Sequence, residues 1–268
     1  MGVEEAALEA EVLLRHALGL ERAQFYARLS EEISPDGRTA FEALLARRLR
    51  REPAAYIIGR REFYGLELEV TSAAPIPRPE TELLVEEALA QARRLQSTCP
   101  EPHIVDVGTG CGAIALALAM RLPAARVTAI DTSQAALDLA RRNAARLGLS
   151  ERVRFALGDL LSPLEEAADI VVANLPYVPS GEWERLPPEI RCHEPRAALD
   201  GGPDGLRLIA RLLDEAPAHV RSPGALVLEI GYDQGAAVAA LAHKAFPGSA
   251  IAVKQDLASL DRAVLIET

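Results

Sequence analysis

Thirteen consecutive residues constrain the fold of this chain more than any other feature: Ile104-Val-Asp106-Val-Gly108-Thr109-Gly110-Cys111-Gly112-Ala-Ile-Ala-Leu116. An apolar strand runs straight into an apolar helix through three glycines at alternate positions. Glycine there permits positive φ and lets a ligand approach the backbone closely. The start of the following helix favours negative ligand groups. A strand, glycine loop and helix in that order belong to an open α/β sheet, whose ligands bind at the carboxyl ends of the strands.

The remainder of the chain from Glu80 extends this pattern. A helix is predicted over Thr81–Leu95. Apolar strand candidates then alternate with helical stretches: His103–Val107, Arg126–Asp131, Val153–Leu157, Asp169–Asn174 and Gly224–Gly231. Such alternation implies right-handed βαβ units and a parallel sheet. The last two candidates, Ala250–Lys254 and Arg262–Ile266, are joined by a link too short for a crossover, so they form an antiparallel pair. The fold class is α/β: a Rossmann-like sheet ending in an antiparallel hairpin, a termination unusual for dinucleotide dehydrogenases.

The first sixty residues read differently. Ala6–Leu18 and Thr39–Leu49 carry apolar residues at helical spacing, and Ser34-Pro35-Asp36-Gly37 reads as a turn between them. The period then changes to two: Leu66, Leu68 and Val70 alternate with Glu67 and Glu69, giving a strand over Glu62–Val70 with a short partner at Ile76–Arg78. The expected organisation is a helical domain over 1–61, a β-hairpin linker over 62–79 and the α/β domain over 80–268.

Charge and composition exclude several classes. Against 39 acidic residues stand 29 basic ones, a net charge of −10, which argues against broad nucleic-acid binding driven by phosphate neutralisation. Arg47, Arg48, Arg50, Arg51, Arg60 and Arg61 are the one local basic cluster, either a solvated face or a surface that docks an acidic protein. No apolar run approaches the length of a membrane span, and the N-terminus Met1-Gly2-Val3-Glu4-Glu5 is acidic where a signal peptide is basic. The 3 scattered cysteines suit neither a disulfide framework nor a zinc site. A cytoplasmic protein without metal is expected.

Several residues carry chemistry. Asp131 ends the second α/β strand, 19 residues after Gly112, where a carboxylate can accept from both ribose hydroxyls of an adenosine or cap the next helix. Asp106 either faces the cationic end of a cofactor or orients the loop. Asp159, in Leu157-Gly-Asp-Leu160-Leu161, ends the third strand where an adenine edge would be read, or caps its loop. The glycine loop alone does not choose the cofactor, because Gly108, Gly110 and Ala113 also fit a loose dinucleotide fingerprint. The fourth strand runs into Asn174-Leu175-Pro176-Tyr177. Pro176 biases Leu175 towards extended backbone, which aims the Leu175 carbonyl beside the Asn174 side-chain oxygen. Two such acceptors hold an NH₂ group, and Tyr177 is available to stack on a planar one. His193 reads as a structural hydrogen-bonder and Cys111 as a small residue that fits.

Gly108-Thr-Gly-Cys-Gly112, Asp131 and Asn174-Leu-Pro-Tyr177 together resemble the S-adenosylmethionine-dependent methyltransferases that act on planar NH₂ groups. More specifically, Arg51-Glu-Pro-Ala-Ala-Tyr-Ile-Ile-Gly59, Glu62-Phe-Tyr-Gly65, Ile76-Pro-Arg-Pro-Glu-Thr-Glu82, Glu194-Pro-Arg-Ala-Ala-Leu-Asp-Gly-Gly202 and Glu229-Ile-Gly231 resemble the peptide chain release factor glutamine methyltransferases. The resemblance runs from about residue 40 to the C-terminus. It implies S-adenosylmethionine as cofactor, release factors as protein partners, methylation of the glutamine in their Gly-Gly-Gln loop, and an N-terminal helical domain that recognises the substrate. The cofactor site it implies comprises Gly108, Thr109, Gly110, Cys111, Gly112, Asp131, Asp159, Leu160 and Asn174; the catalytic segment is Asn174, Leu175, Pro176 and Tyr177. The family usually has Asn-Pro-Pro-Tyr. Leu175 in place of the first proline looks instead like the ribosomal RNA adenine dimethylases, an alternative that leaves Ile76–Glu82 and the N-terminal helices without a role. A third reading is a noncatalytic cofactor-binding module. Because the group proposed at Leu175 is its carbonyl, truncating that side chain is expected to be mild.

Overall fold

The computed structural model describes residues 6–268; the acidic run Met1–Glu5 lies outside them. The chain opens with four helices, α1 (Ala6–Leu18), α2 (Arg22–Ala27), α3 (Pro35–Leu49) and α4 (Ala54–Ile58), with α1 packed on α3 and α4. Helix α3 begins ahead of the expected Thr39. Ser34 caps it by accepting from the Gly37 amide at 3.1 Å, and Pro35 occupies its first turn. Serine then proline is a helix-start signal as much as a turn signal.

Strands β1 (Arg60–Phe63) and β2 (Leu66–Glu69) pair antiparallel. Tyr64 and Gly65 both have positive φ, 51° and 79°, as a two-residue hairpin loop of this hand requires. This corrects the expected pairing: the partner of Leu66–Glu69 precedes it, and Ile76–Arg78 is not a strand. Pro75, Pro77 and Pro79 lack the N–H groups a ladder needs, and the segment leads into a 3₁₀ turn at Pro79–Thr81.

Helix α5 (Glu82–Leu95) introduces the main sheet. Its strands are β3 (His103–Val107), β4 (Arg126–Asp131), β5 (Val153–Leu157), β6 (Ala168–Ala173), β7 (Val220–Glu229), β8 (Ala250–Gln255) and β9 (Asp261–Glu267), in the spatial order β5-β4-β3-β6-β7-β9-β8. Strands β3 to β7 pair in parallel, and β9 runs antiparallel to both β7 and β8. Alternate strand residues face opposite layers. Ile104 and Val172 pack with α5, α6 (Ala113–Arg121) and α7 (Gln134–Arg146). Val105 and Val171 pack with α9 (Arg207–Glu215) and α10 (Gly235–Ala245). Burial on both faces accounts for the near-continuous apolar strands. Among the described residues no helix is long and apolar enough to cross a membrane.

Helix α8 (Pro188–His193), inserted between β6 and β7, reaches the N-terminal helices. Arg48 is 8% exposed; it donates to Glu9 Oε2 at 2.7 Å and to Glu189 Oε1 at 3.0 Å, while Arg51 donates to the same Glu189 oxygen at 2.9 Å. Arg47 pairs with Glu52, and the His193 ring contacts the Arg50 carbonyl. The expected solvated or docking face is therefore, at Arg48 and Arg51, a clamp that ties α1 and the end of α3 to α8, while Arg47 is held locally by Glu52. Sequence reading missed it because the matching carboxylate on Glu189 is distant in the chain.

Candidate active site

The loop after β3 takes positive φ at Gly108 (76°), Gly110 (57°) and Gly112 (87°), a conformation that costs glycine least. Its amides are largely committed within the protein. Gly108 and Thr109 both donate to the Ile130 carbonyl at 2.9 Å, Gly112 donates to the Thr109 carbonyl, and Gly110 donates to Asp131 Oδ2 at 2.9 Å. Asp106 Oδ2 accepts from Thr109 Oγ1 at 2.6 Å and from the Ala115 amide at 3.1 Å. With no exposed surface, Asp106 orients the loop, and burial pushes its carboxyl up to about 7. Cys111 is structural: its carbonyl accepts from Asn143 Nδ2 at 2.9 Å, and burial pushes its thiol up to about 12.

Two cavities open along the carboxyl edge of the sheet. The larger, ≈ 320 Å³, gathers Gly108, Gly110, Asp131, Asp159, Leu160 and Asn174 among its walls. Of the residues expected to form a cofactor site, Thr109 and Cys111 line the neighbouring cavity instead, and Gly112 lines neither. Asp131 carries two structural bonds, from the Gly110 amide and, at 2.8 Å, from the Ser133 amide to Oδ1. Each carboxylate oxygen has a second acceptor site available for a ligand. Ser133 itself caps α7, accepting from the Ala136 amide. Asp159 is exposed and pairs with Arg211 of α9 at 2.7 Å. Leu160 is buried, with φ at 48°.

The smaller cavity, ≈ 110 Å³, adjoins the larger across Gly108, Gly110, Asn174, Leu175 and Pro176, which line both. Asn174 follows directly from β6. Its Nδ2 donates to Thr81 Oγ1 at 3.2 Å, so its Oδ1 is the end of the amide free to accept. Leu175 is 5% exposed, and its Cδ2 lies 3.2 Å from where a Cβ on Gly108 would sit. The loop and the Asn-Leu-Pro-Tyr segment are thus packed against each other. Tyr177 donates its hydroxyl to Glu229 Oε1 at 3.2 Å, and burial beside that carboxylate raises its pKa. On the far wall Arg78 pairs with the buried Glu194.

Thr81 and Glu229 were not picked out as site residues by the sequence. Both line the smaller cavity, and they are 4% and 2% exposed. A signal was present at Glu229: a carboxylate closing a strand whose preceding residues, Ala225 to Leu228, are all apolar. A charge so placed is rarely buried without purpose. Thr81 offered no such signal beyond its place in Ile76–Glu82.

Comparison with known proteins finds relatives over nearly the whole chain. Residues 1–59 match the PrmC N-terminal domain family, and residues 104–193 match a methyltransferase domain family. The chain is 46% identical to the release factor glutamine methyltransferase of Moorella thermoacetica, covering 98% of this chain and 92% of that one. It is 44% identical to that of Geobacter sulfurreducens, covering 88% and 81%, and 41% identical to that of Bacillus subtilis, covering 98% and 91%. Among solved structures, a methyltransferase from Pyrococcus furiosus superposes with a TM-score of 0.57 at 17% identity, covering 84% of this chain and 98% of that one. A 16S rRNA N2 G1207 methyltransferase from T. thermophilus, in complex with AdoMet and guanosine, gives 0.50 at 19% identity, covering 78% and 49%. At those identities the structural likeness concerns the fold alone.

Proposed function

Because it aligns over nearly its full length with relatives more than 40% identical, this chain belongs to the release factor glutamine methyltransferase family, and we propose that it methylates the side-chain amide nitrogen (N5) of the glutamine in the Gly-Gly-Gln loop of peptide chain release factors. It is an S-adenosylmethionine-dependent methyltransferase acting on release factors. The observation that carries the finer reading is the shared wall of the two cavities, with Asn174 standing in it.

The larger cavity suits the cofactor. Asp131 offers acceptors for a ribose diol, Leu160 an apolar surface for a base, and the loop at Gly108 and Gly110 a backbone free of side chains. S-adenosylmethionine, when bound, supplies an activated methyl group on a cationic sulfur. An amide nitrogen is a weak nucleophile because its lone pair is delocalised into the carbonyl, so the protein's task is to position and desolvate it. Asn174 Oδ1 and the Leu175 carbonyl accept the two N–H bonds and fix the nitrogen at the boundary between the cavities. Pro176 stiffens that backbone, and Tyr177, held by Glu229, forms part of the slot wall. A slot of ≈ 110 Å³ admits a side-chain amide on a flexible stem. The helical residues up to Gly59 serve recognition of the release factor, the hairpin and proline segment over 60–79, which begins at Arg60 rather than the expected Glu62, links them to the sheet, and 80–268 carry methyl transfer.

The test is a mass spectrum of a release factor incubated with this protein and S-adenosylmethionine. One methyl group on the Gly-Gly-Gln glutamine is expected, and none when that glutamine is replaced by alanine. Methyl incorporation elsewhere in the release factor, or only into ribosomal RNA, would overturn the reading.

A further inference from the structure

The amide of Asn174 is useful as an acceptor in only one of its two orientations. Rotated by half a turn, it would present NH₂ to the NH₂ of the substrate, donor against donor. What decides the orientation is the partner of its far end, which is Thr81 Oγ1, accepting from Nδ2 at 3.2 Å. A hydroxyl has one proton. While Thr81 Oγ1 accepts from Asn174, that proton must go to another acceptor. The Glu229 carboxylate lies against the Thr81 hydroxyl, and its Oε2 is buried with no hydrogen-bond partner of its own. Its other oxygen is taken by Tyr177. An ionised carboxylate accepts only, so a Thr81 hydroxyl turned towards it donates its proton there and keeps its lone pairs for Asn174 Nδ2.

We propose that Glu229 is a positioning residue which acts through Thr81 to lock the Asn174 side-chain oxygen towards the acceptor slot. The inference rests on the reading of Asn174 as the group that accepts from the substrate amide. It gives the buried carboxylate a role in the geometry of transfer without contact with the methyl donor. It also makes the lock sensitive to protonation. A protonated Glu229 becomes a donor, the Thr81 hydroxyl can turn, and the orientation of Asn174 is no longer dictated. The groups facing Glu229 are Tyr177 from the segment after β6, Thr81 and Glu80 from the 3₁₀ turn, and Arg262 from β9. Burial is the largest influence and raises its pKa, Glu80 adds to the rise, and Thr81, Tyr177 and Arg262 oppose it.

The test is a double-mutant cycle in single-turnover methyl transfer to release factor, with cofactor dissociation constants measured alongside. Asn174→Ala is expected to slow transfer on the order of 10²-fold through lost positioning. Thr81→Val, which keeps shape and removes the hydroxyl, is expected to slow it about tenfold in the wild-type background and less than about twofold in the Asn174→Ala background, the non-additivity of residues acting as one unit. Thr81→Ser is expected to restore the rate, and cofactor affinity should hold in both Thr81 variants. In the wild type, transfer should fall as pH drops through the raised pKa of Glu229, and Glu229→Gln should remove that acid limb. Equal losses from Thr81→Val in both backgrounds would overturn the relay while leaving Asn174 in place. A harmless Asn174→Ala would instead overturn the reading beneath it. Should Thr81→Val not fold, an acid limb unchanged in Glu229→Gln overturns the relay by itself.

Discussion

Leu175 gives the sharpest test of how the catalytic segment is held. The carbonyl proposed to contact substrate belongs to the backbone, so from sequence Leu175→Ala is expected to be the mildest change for methyl transfer. The structure adds a cost in stability. The side chain is 5% exposed, belongs to the cluster with Val107, Ile130 and Ala173, and abuts the α-carbon of Gly108. Leucine-to-alanine changes in cores cost about 2–5 kcal/mol, the upper values where the void cannot collapse. Here the void opens on two cavities, where solvent enters, so the lower part of the range, about 2–3 kcal/mol, is expected. For a chain of this size that lowers Tm by roughly 5–10 °C. The assay is urea denaturation with an unchanged m-value, paired with single-turnover methyl transfer at saturating cofactor. The expected result is a clear loss of stability and a rate much closer to wild type than that of Asn174→Ala. A stability within about 0.5 kcal/mol of wild type, the range of an ordinary surface change, would refute the packing argument. A rate loss matching Asn174→Ala would refute the assignment of the backbone carbonyl.

Asp131→Ala removes acceptors from the larger cavity and also the anchors of the Gly110 and Ser133 amides. Calorimetry should show S-adenosylmethionine binding weakened by about 1.5–3 kcal/mol, the range for hydrogen bonds to a charged group, and a change under threefold would count against the site. Asp106 holds its proton up to about 7 in the folded protein against an ordinary 3.8. The folded state is then the better proton binder between those values, so its stabilising contribution is complete below the lower one and is lost as pH rises through the upper one. Denaturation midpoints should decline over that window in the wild type and not in Asp106→Asn; equal slopes would refute the assignment. Arg48→Ala breaks the clamp to Glu9 and Glu189, at an expected cost of about 1–3 kcal/mol. Faster hydrogen exchange in α1 and α3 with unchanged cofactor affinity should report it, and unaltered exchange would show that the clamp contributes nothing.

The sequence by itself determined the α/β class, the strands of the main sheet within a few residues, and the antiparallel ending. Those follow from local pattern: apolar runs of strand length, helical spacing between them, and a last link too short to cross over. It also placed the glycine loop, Asp131 and Asn174 together, because strand ends in such a sheet converge on one edge. Tertiary structure alone decided which partner each polar group finds. Ile76–Arg78 reads as a short strand, but the Tyr64-Gly65 turn gives the pairing to Arg60–Phe63. Arg48 looked like part of a solvated face until the fold brought Glu189 to it. Thr81, Asn174 and Glu229 stand far apart in the chain, and only the sheet brings them to one wall. Hydrophobic periodicity is written in neighbours along the chain, whereas a buried charge is satisfied by whatever the fold delivers to it.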